Sequence, residues 1–64
     1  MSNLLVINGK FYAGTDSENK LILKDNRSEA LPLDGDELKI AMGAIFCRVM
    51  ADEIKLQRLE VLRA

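Results

Sequence analysis

An α+β fold is what this sequence predicts: an antiparallel three-stranded meander, with room for a short fourth strand at an edge, followed by one long C-terminal helix. Three observations predict it. Asn8-Gly9 separates two apolar runs, Leu21-Ile22-Leu23 is bracketed by Lys20 and Lys24, and residues 35–63 carry apolar side chains at three- and four-residue spacing with no proline. The chain of 64 residues reads as one domain, 1–64, with the meander at 3–33 and the helix at 35–63. A chain this size buries only ~60% of the surface its unfolded form exposes, so its core is small.

The first two strands follow from the turn between them. Leu4-Leu5-Val6-Ile7 is aliphatic, and Asn-Gly after it supplies the two positive φ angles that a type I′ hairpin turn requires. A two-residue loop pairs Ile7 with Lys10, Val6 with Phe11, Leu5 with Tyr12 and Leu4 with Ala13. Alternation then places Leu4, Val6, Phe11 and Ala13 on one face and Leu5, Ile7 and Tyr12 on the other. After the polar loop 15–19, residues 20–24 form the third strand. Asp25-Asn26-Arg27-Ser28 has turn chemistry. Glu29 to Leu33 reads as extended, and Pro32, which has no N–H, confines any strand there to an edge.

Asp34-Gly35-Asp36-Glu37 predicts the helix start. Asp34 is the N-cap, Glu37 completes a capping box, and Leu33 and Leu38 take the hydrophobic-staple positions. Acidic residues crowd the first turn, as the helix dipole favours. Two apolar stripes follow: Leu38, Met42, Ile45, Val49, Leu56 and Leu59, and, roughly opposite, Ile40, Ala44, Cys47, Ala51, Ile54 and Val61. One small sheet covers one stripe. A helix over 35–63 would be ~43 Å long, against strands of ~17–20 Å, so its overhanging half needs a second chain. The expected state is a homodimer with Ile40, Ala44, Cys47, Ala51, Ile54 and Val61 in the seam. The converse, with the small residues under the protein's own sheet and the larger stripe outward, satisfies the same pattern. A helix broken near Asp52-Glu53 and folding back as a hairpin of helices is the competing arrangement, and no turn residue there supports the break.

Composition narrows the function. Nine basic and ten acidic residues give a net charge of −1, and there is one cysteine and no histidine. That removes histidine triads and His-containing zinc sites. Cys47 reads as a core thiol in mid-helix, since a reactive one needs a cationic or helix-N-terminal environment. Asp52 and Glu53 read as a solvated pair. The four glycines form no phosphate-cradling motif. No enzyme activity, cofactor or metal is therefore expected. Neither half of the chain clusters the basic residues that non-specific nucleic-acid binding needs. The absence of a basic n-region or a long apolar run gives the expectation of a cytoplasmic protein without a membrane segment.

The run Asn8-Gly9-Lys10-Phe11-Tyr12-Ala13-Gly14, followed by Leu21-Ile22-Leu23-Lys24-Asp25 and Ser28-Glu29-Ala30-Leu31, resembles the ββ(β)α module of small phage- and prophage-encoded accessory proteins over roughly residues 5–42. The resemblance implies a bacterial or phage context and a host or phage protein as partner. It carries over no functional residues. The leading expectation is a non-enzymatic interaction module, an inhibitor or adaptor. A dimeric nucleic-acid-binding regulator using Lys10, Lys20, Lys24 and Arg27, or a protein sequestering a small ligand, is the alternative. With the helix as dimer seam, the sheet face bearing Leu5, Ile7, Tyr12 and Ile22 is the expected partner surface, because an uncovered antiparallel face is normally polar and this one is apolar.

Overall fold

The computed structural model describes residues 2–64. Asn8 and Gly9 both take positive φ, 51° and 81°, and the turn joins β1 (Asn3–Ile7) to β2 (Lys10–Thr15). Ile7 pairs with Lys10 and Val6 with Phe11, as the two-residue loop requires. The expected pairs Leu5–Tyr12 and Leu4–Ala13 do not form, because β2 leaves β1 at this point. The carbonyl of Tyr12 instead accepts the Leu31 N–H at 3.0 Å.

A bulge accompanies this divergence. Between the pairs Tyr12–Leu23 and Thr15–Leu21, two residues of β2 oppose one of β3 (Leu21–Lys24). Gly14 sits in the bulge at φ 105°, a conformation that costs an L side chain dearly. Bulges bend their strand and increase its twist, and here the bend opens a fork between β1 and β2. Residues 31–33 fill the fork. Leu33 forms an antiparallel bridge with Asn3, with reciprocal bonds of 2.7 and 2.8 Å. The segment expected at an edge is thus inside the sheet, and the missing N–H of Pro32 falls between its two anchoring residues.

The chain reaches the fork from β3 through a 3-10 turn, Arg27–Glu29. The Arg27 guanidinium donates to the carbonyl of Arg63 at the opposite edge of the sheet. Since the helix occupies one face, this traverse crosses the other. Leu4 and Val6, whose side chains alternate away from the helix, are buried as well.

The helix α1 spans Gly35–Met50 and starts as the sequence predicts. The Glu37 N–H donates to Asp34 Oδ1 at 2.8 Å, and the Asp34 N–H donates to Glu37 Oε1 at 3.0 Å. Leu33 and Leu38 both join the core cluster.

The end of α1 overturns the expectation of a helix over 35–63. Asp52 adopts φ 59°. Its N–H donates to the Val49 carbonyl at 3.1 Å, and the Glu53 N–H donates to the Arg48 carbonyl at 2.9 Å. These are the two bonds of a Schellman motif, with Asp52 in the left-handed position usually held by glycine. Asp tolerates that conformation better than most residues, so the turn residue was present without being a glycine.

Beyond it the chain returns as β4 (Leu59–Arg63), antiparallel to β1 along its whole length, from Asn3–Arg63 to Ile7–Leu59. The sheet has four strands in the order β3-β2-β1-β4, and the helix lies between β3 and β4 in sequence. The fold is therefore α+β with an antiparallel sheet, but it is not a meander followed by a terminal helix. Sixteen helical residues make a rod of ~24 Å, matched to the sheet, and the molecule measures 31 × 25 × 24 Å. The overhang that called for a second chain does not exist.

Candidate functional site

The core fixes which surfaces remain for function. Leu5, Ile7, Tyr12, Leu33, Ala41 and Ile45 form its buried centre, and Leu38, Met42 and Val49 pack against it. Of the two stripes, the one bearing Leu38, Met42, Ile45 and Val49 faces the protein's own sheet.

The expected partner surface is corrected by this arrangement. Leu5, Ile7 and Tyr12 lie under α1, with Tyr12 only 8% exposed. Ile22, between two side chains that point to the helix, alternates to the opposite face, where it is half-buried. The four residues do not share a surface. Tyr12→Ala is accordingly expected to cost ~3–5 kcal/mol of stability, as other large-to-small aromatic core changes do. A melting curve unchanged within a few degrees would return Tyr12 to the surface.

The expected dimer seam divides. Ile40, Ala44 and Cys47 lie on α1 and Ala51 caps it, all away from the core centre. Ile54 follows the turn at Asp52 and packs against the core. Val61 lies on β4. The six residues therefore form no continuous helical stripe. Cys47 is exposed and free, not the core thiol its apolar neighbours suggested.

What replaces the seam is shorter and better defined. Ile40 is 74% and Met50 85% exposed, and Gly43, Cys47 and Ala51 between and beside them are exposed as well. At ~100° per residue, positions 40, 43, 44, 47, 50 and 51 fall within roughly one third of the helix circumference. No charged side chain occurs among them. Gly43 has open space where a Cβ would stand, so another backbone can approach closely there. Lys39 and Arg48 border the stripe on its two sides.

A groove of ≈ 730 Å³ runs beneath the C-terminal end of α1. Ile7, Leu21, Leu23 and Ile54 form its apolar part, and Arg48 and Lys20 stand at its rim. The Arg48 guanidinium donates to the Asn19 carbonyl, which ties the helix to the β2–β3 loop. Among the described residues no buried side-chain nitrogen or oxygen lacks a hydrogen-bond partner, so no unmet polar group is aimed into the groove.

The basic residues are dispersed. Lys10 lies 3.7 Å from Asp25 and Lys20 3.4 Å from Glu18. Among the described residues no three His, Cys, Asp or Glu side chains gather as a metal cage, and no helix is long and apolar enough to cross a membrane.

Asn8 is the residue whose role sequence reasoning missed. Besides forming the turn, its side chain accepts the N–H groups of Gln57 and Arg58 at 2.7 and 3.0 Å and donates to the Lys55 carbonyl at 2.7 Å. It clamps the returning chain just before β4. The dipeptide Asn-Gly signals the turn; nothing local signals the clamp.

No protein-family model matches the chain, and neither a curated protein nor a solved structure matches it.

Proposed function

We propose that the chain is a non-enzymatic interaction module whose contact surface is the outer stripe of α1. One observation carries this reading: two large aliphatic side chains, Ile40 and Met50, stand almost fully in solvent at either end of a charge-free stripe of small residues. Scattered single apolar residues on a surface need no explanation, whereas a contiguous apolar strip marks an interaction site. The small residues at its centre fit a partner helix laid along α1, because small side chains at the contact shorten the distance between helix axes. Ile40 and Met50 would then be the anchors, in the manner of helix-in-groove recognition. A host or phage protein is the class of partner consistent with the resemblance over roughly residues 5–42.

The nucleic-acid reading gains no support from the placement of the cations, since two of its four candidates sit beside carboxylates.

The test is a comparison of captures from host lysate with the wild-type chain and with the double variant Ile40→Glu/Met50→Glu. Both positions are exposed, so the variant is expected to keep its circular dichroism spectrum. A protein retained by the wild type and reduced at least tenfold by the variant is the expected outcome. Equal capture by both removes the stripe from function. Nucleic-acid retention at ~50 mM salt, lost steeply as salt rises, would replace a protein partner with the regulator reading.

A further inference from the structure

The two edges of the sheet differ in a way that points to a second copy of this chain. The β3 edge is four residues long and flanked by Lys20 and Lys24. Lysines on an edge are a standard protection against pairing with another strand. The β4 edge, Leu59–Arg63, contains no lysine, and its central residue, Val61, is 45% exposed.

The hydrogen-bond phase of β4 is fixed. The Asn8 N–H donates to the Arg58 carbonyl at 2.8 Å, and the Ala64 N–H donates to the Ser2 carbonyl at 3.1 Å. Even-numbered residues therefore bond inward to β1, and Leu59, Val61 and Arg63 turn their main-chain groups outward. Beyond β4 no strand follows among the described residues.

A second apolar element borders the same edge. Ala44 and Arg48 line the side of α1 that overlooks Tyr12, Thr15 and Asn19. Phe46 lies ~160° around the helix from Arg48, on the flank toward β4, and is 44% exposed. Val61 pairs with Leu5, so it points to the helix side of the sheet as well. Phe46 and Val61 thus stand on one side of the β4 edge, whose charged side chains are Glu60, ion-paired with Arg58 at 2.9 Å, and Arg63.

We infer that two copies of the chain pair antiparallel through β4 about a two-fold axis at Val61, joining their sheets into one of eight strands. In this register Val61 faces Val61 of the other copy, Leu59 faces Arg63, and Glu60 faces Leu62. No like charges stand opposite each other. All three outward residues of each strand find partners, giving six main-chain bonds. A slip by two residues in one direction sets Glu60 against Glu60, and in the other sets Val61 against Arg63. The edge is therefore self-complementary in bonding and register. The Arg27 guanidinium, already on the Arg63 carbonyl, leaves that oxygen its second lone pair. The contact is small beside the ~1,200–2,000 Å² of a stable interface, so the association is expected to be weak and to show only at high concentration. This inference goes beyond the helix-face reading and does not depend on it; the dimer would present two α1 stripes on one side of the joined sheet.

Sedimentation velocity from ~1 to ~300 μM tests it. The wild type is expected to shift from one chain mass to two across that range. Val61→Lys, which places a lysine on the edge without touching the ladder to β1, is expected to stay monomeric at every concentration with its circular dichroism unchanged. Ile40→Glu/Met50→Glu is expected to dimerise like the wild type, which separates this seam from the helix stripe. Amide exchange supplies a readout without mutation: the Leu59 and Val61 N–H groups become protected only at high concentration, whereas Glu60 and Leu62 are protected throughout. A wild type monomeric at ~300 μM, a dimer indifferent to Val61→Lys, a dimer abolished by the helix-stripe variant, or Val61 exchange independent of concentration would each overturn the inference.

Discussion

A chain ended after Gln57 is expected to lose its fold. β4 makes five consecutive residue pairs with β1, and β1 carries the most deeply buried run of the protein, Leu4 to Ile7. Removing β4 opens one side of that strand to water and takes with it the packing of Leu59 and Leu62. A domain of this size has a total stability of ~3–10 kcal/mol at ~0.05–0.15 kcal/mol per residue. Burial of one large aliphatic side chain contributes ~1.5–3 kcal/mol, and the pairing of the central strand is lost as well. The expected observation is a thermal scan without a cooperative transition and a loss of helical signal, because α1 has nothing to pack on. The continuous helix suggested by the apolar spacing makes the opposite forecast, a shortened helix on an intact meander. A truncated chain that melts within a few degrees of the full-length one would restore it.

Asn8→Ala is expected to cost ~2.5–6.5 kcal/mol. Three side-chain hydrogen bonds to residues 55, 57 and 58 disappear, each with a net value of ~0.5–1.5 kcal/mol. Alanine at φ 51° adds ~1–2 kcal/mol of backbone strain. Asn8→Gly separates the two causes, since glycine keeps the turn but not the clamp. It is expected to fall between alanine and the wild type in denaturant midpoint. The amides of Gln57 and Arg58 should lose exchange protection in both variants before those of β2 and β3 do. A loss below ~1 kcal/mol in Asn8→Ala would mean that β4 is held by its ladder alone.

Both forecasts concern the link between the two halves of the chain, which is where sequence and structure part. The Asn8-Gly9 turn, the first two pairs of its hairpin, the third strand and the Asp34–Glu37 capping box were all legible in the chain, because each depends on residues within a few positions of one another. A turn that needs two positive φ angles and a box that needs two side chains three residues apart are local devices. So was the choice of Leu38, Met42, Ile45 and Val49 as one face of the helix. The outer stripe was legible as well, in Ile40, Ala44, Cys47 and Ala51, although its continuation to Ile54 and Val61 was not.

The tertiary structure decided the rest. Residues 51–63 have apolar spacing that fits a helix and also fits alternation at Leu59 and Val61. What selects the strand is β1. Four consecutive aliphatic residues need cover on both faces and a neighbour on both edges, and the β1–β2 hairpin supplies only one neighbour. Asp52 in the left-handed position and Asn8 as a clamp then carry the chain back across more than forty residues. The same demand places 31–33 inside the fork that the bulge at Gly14 opens, although Pro32 reads locally as an edge residue. Sequence alone determined the local elements, whose energetics are closed within a turn or two of chain. Only the folded molecule decided which strand completes the sheet, and with it which two strands stand at its edges, because those choices rest on burial shared between segments that have no relation along the chain.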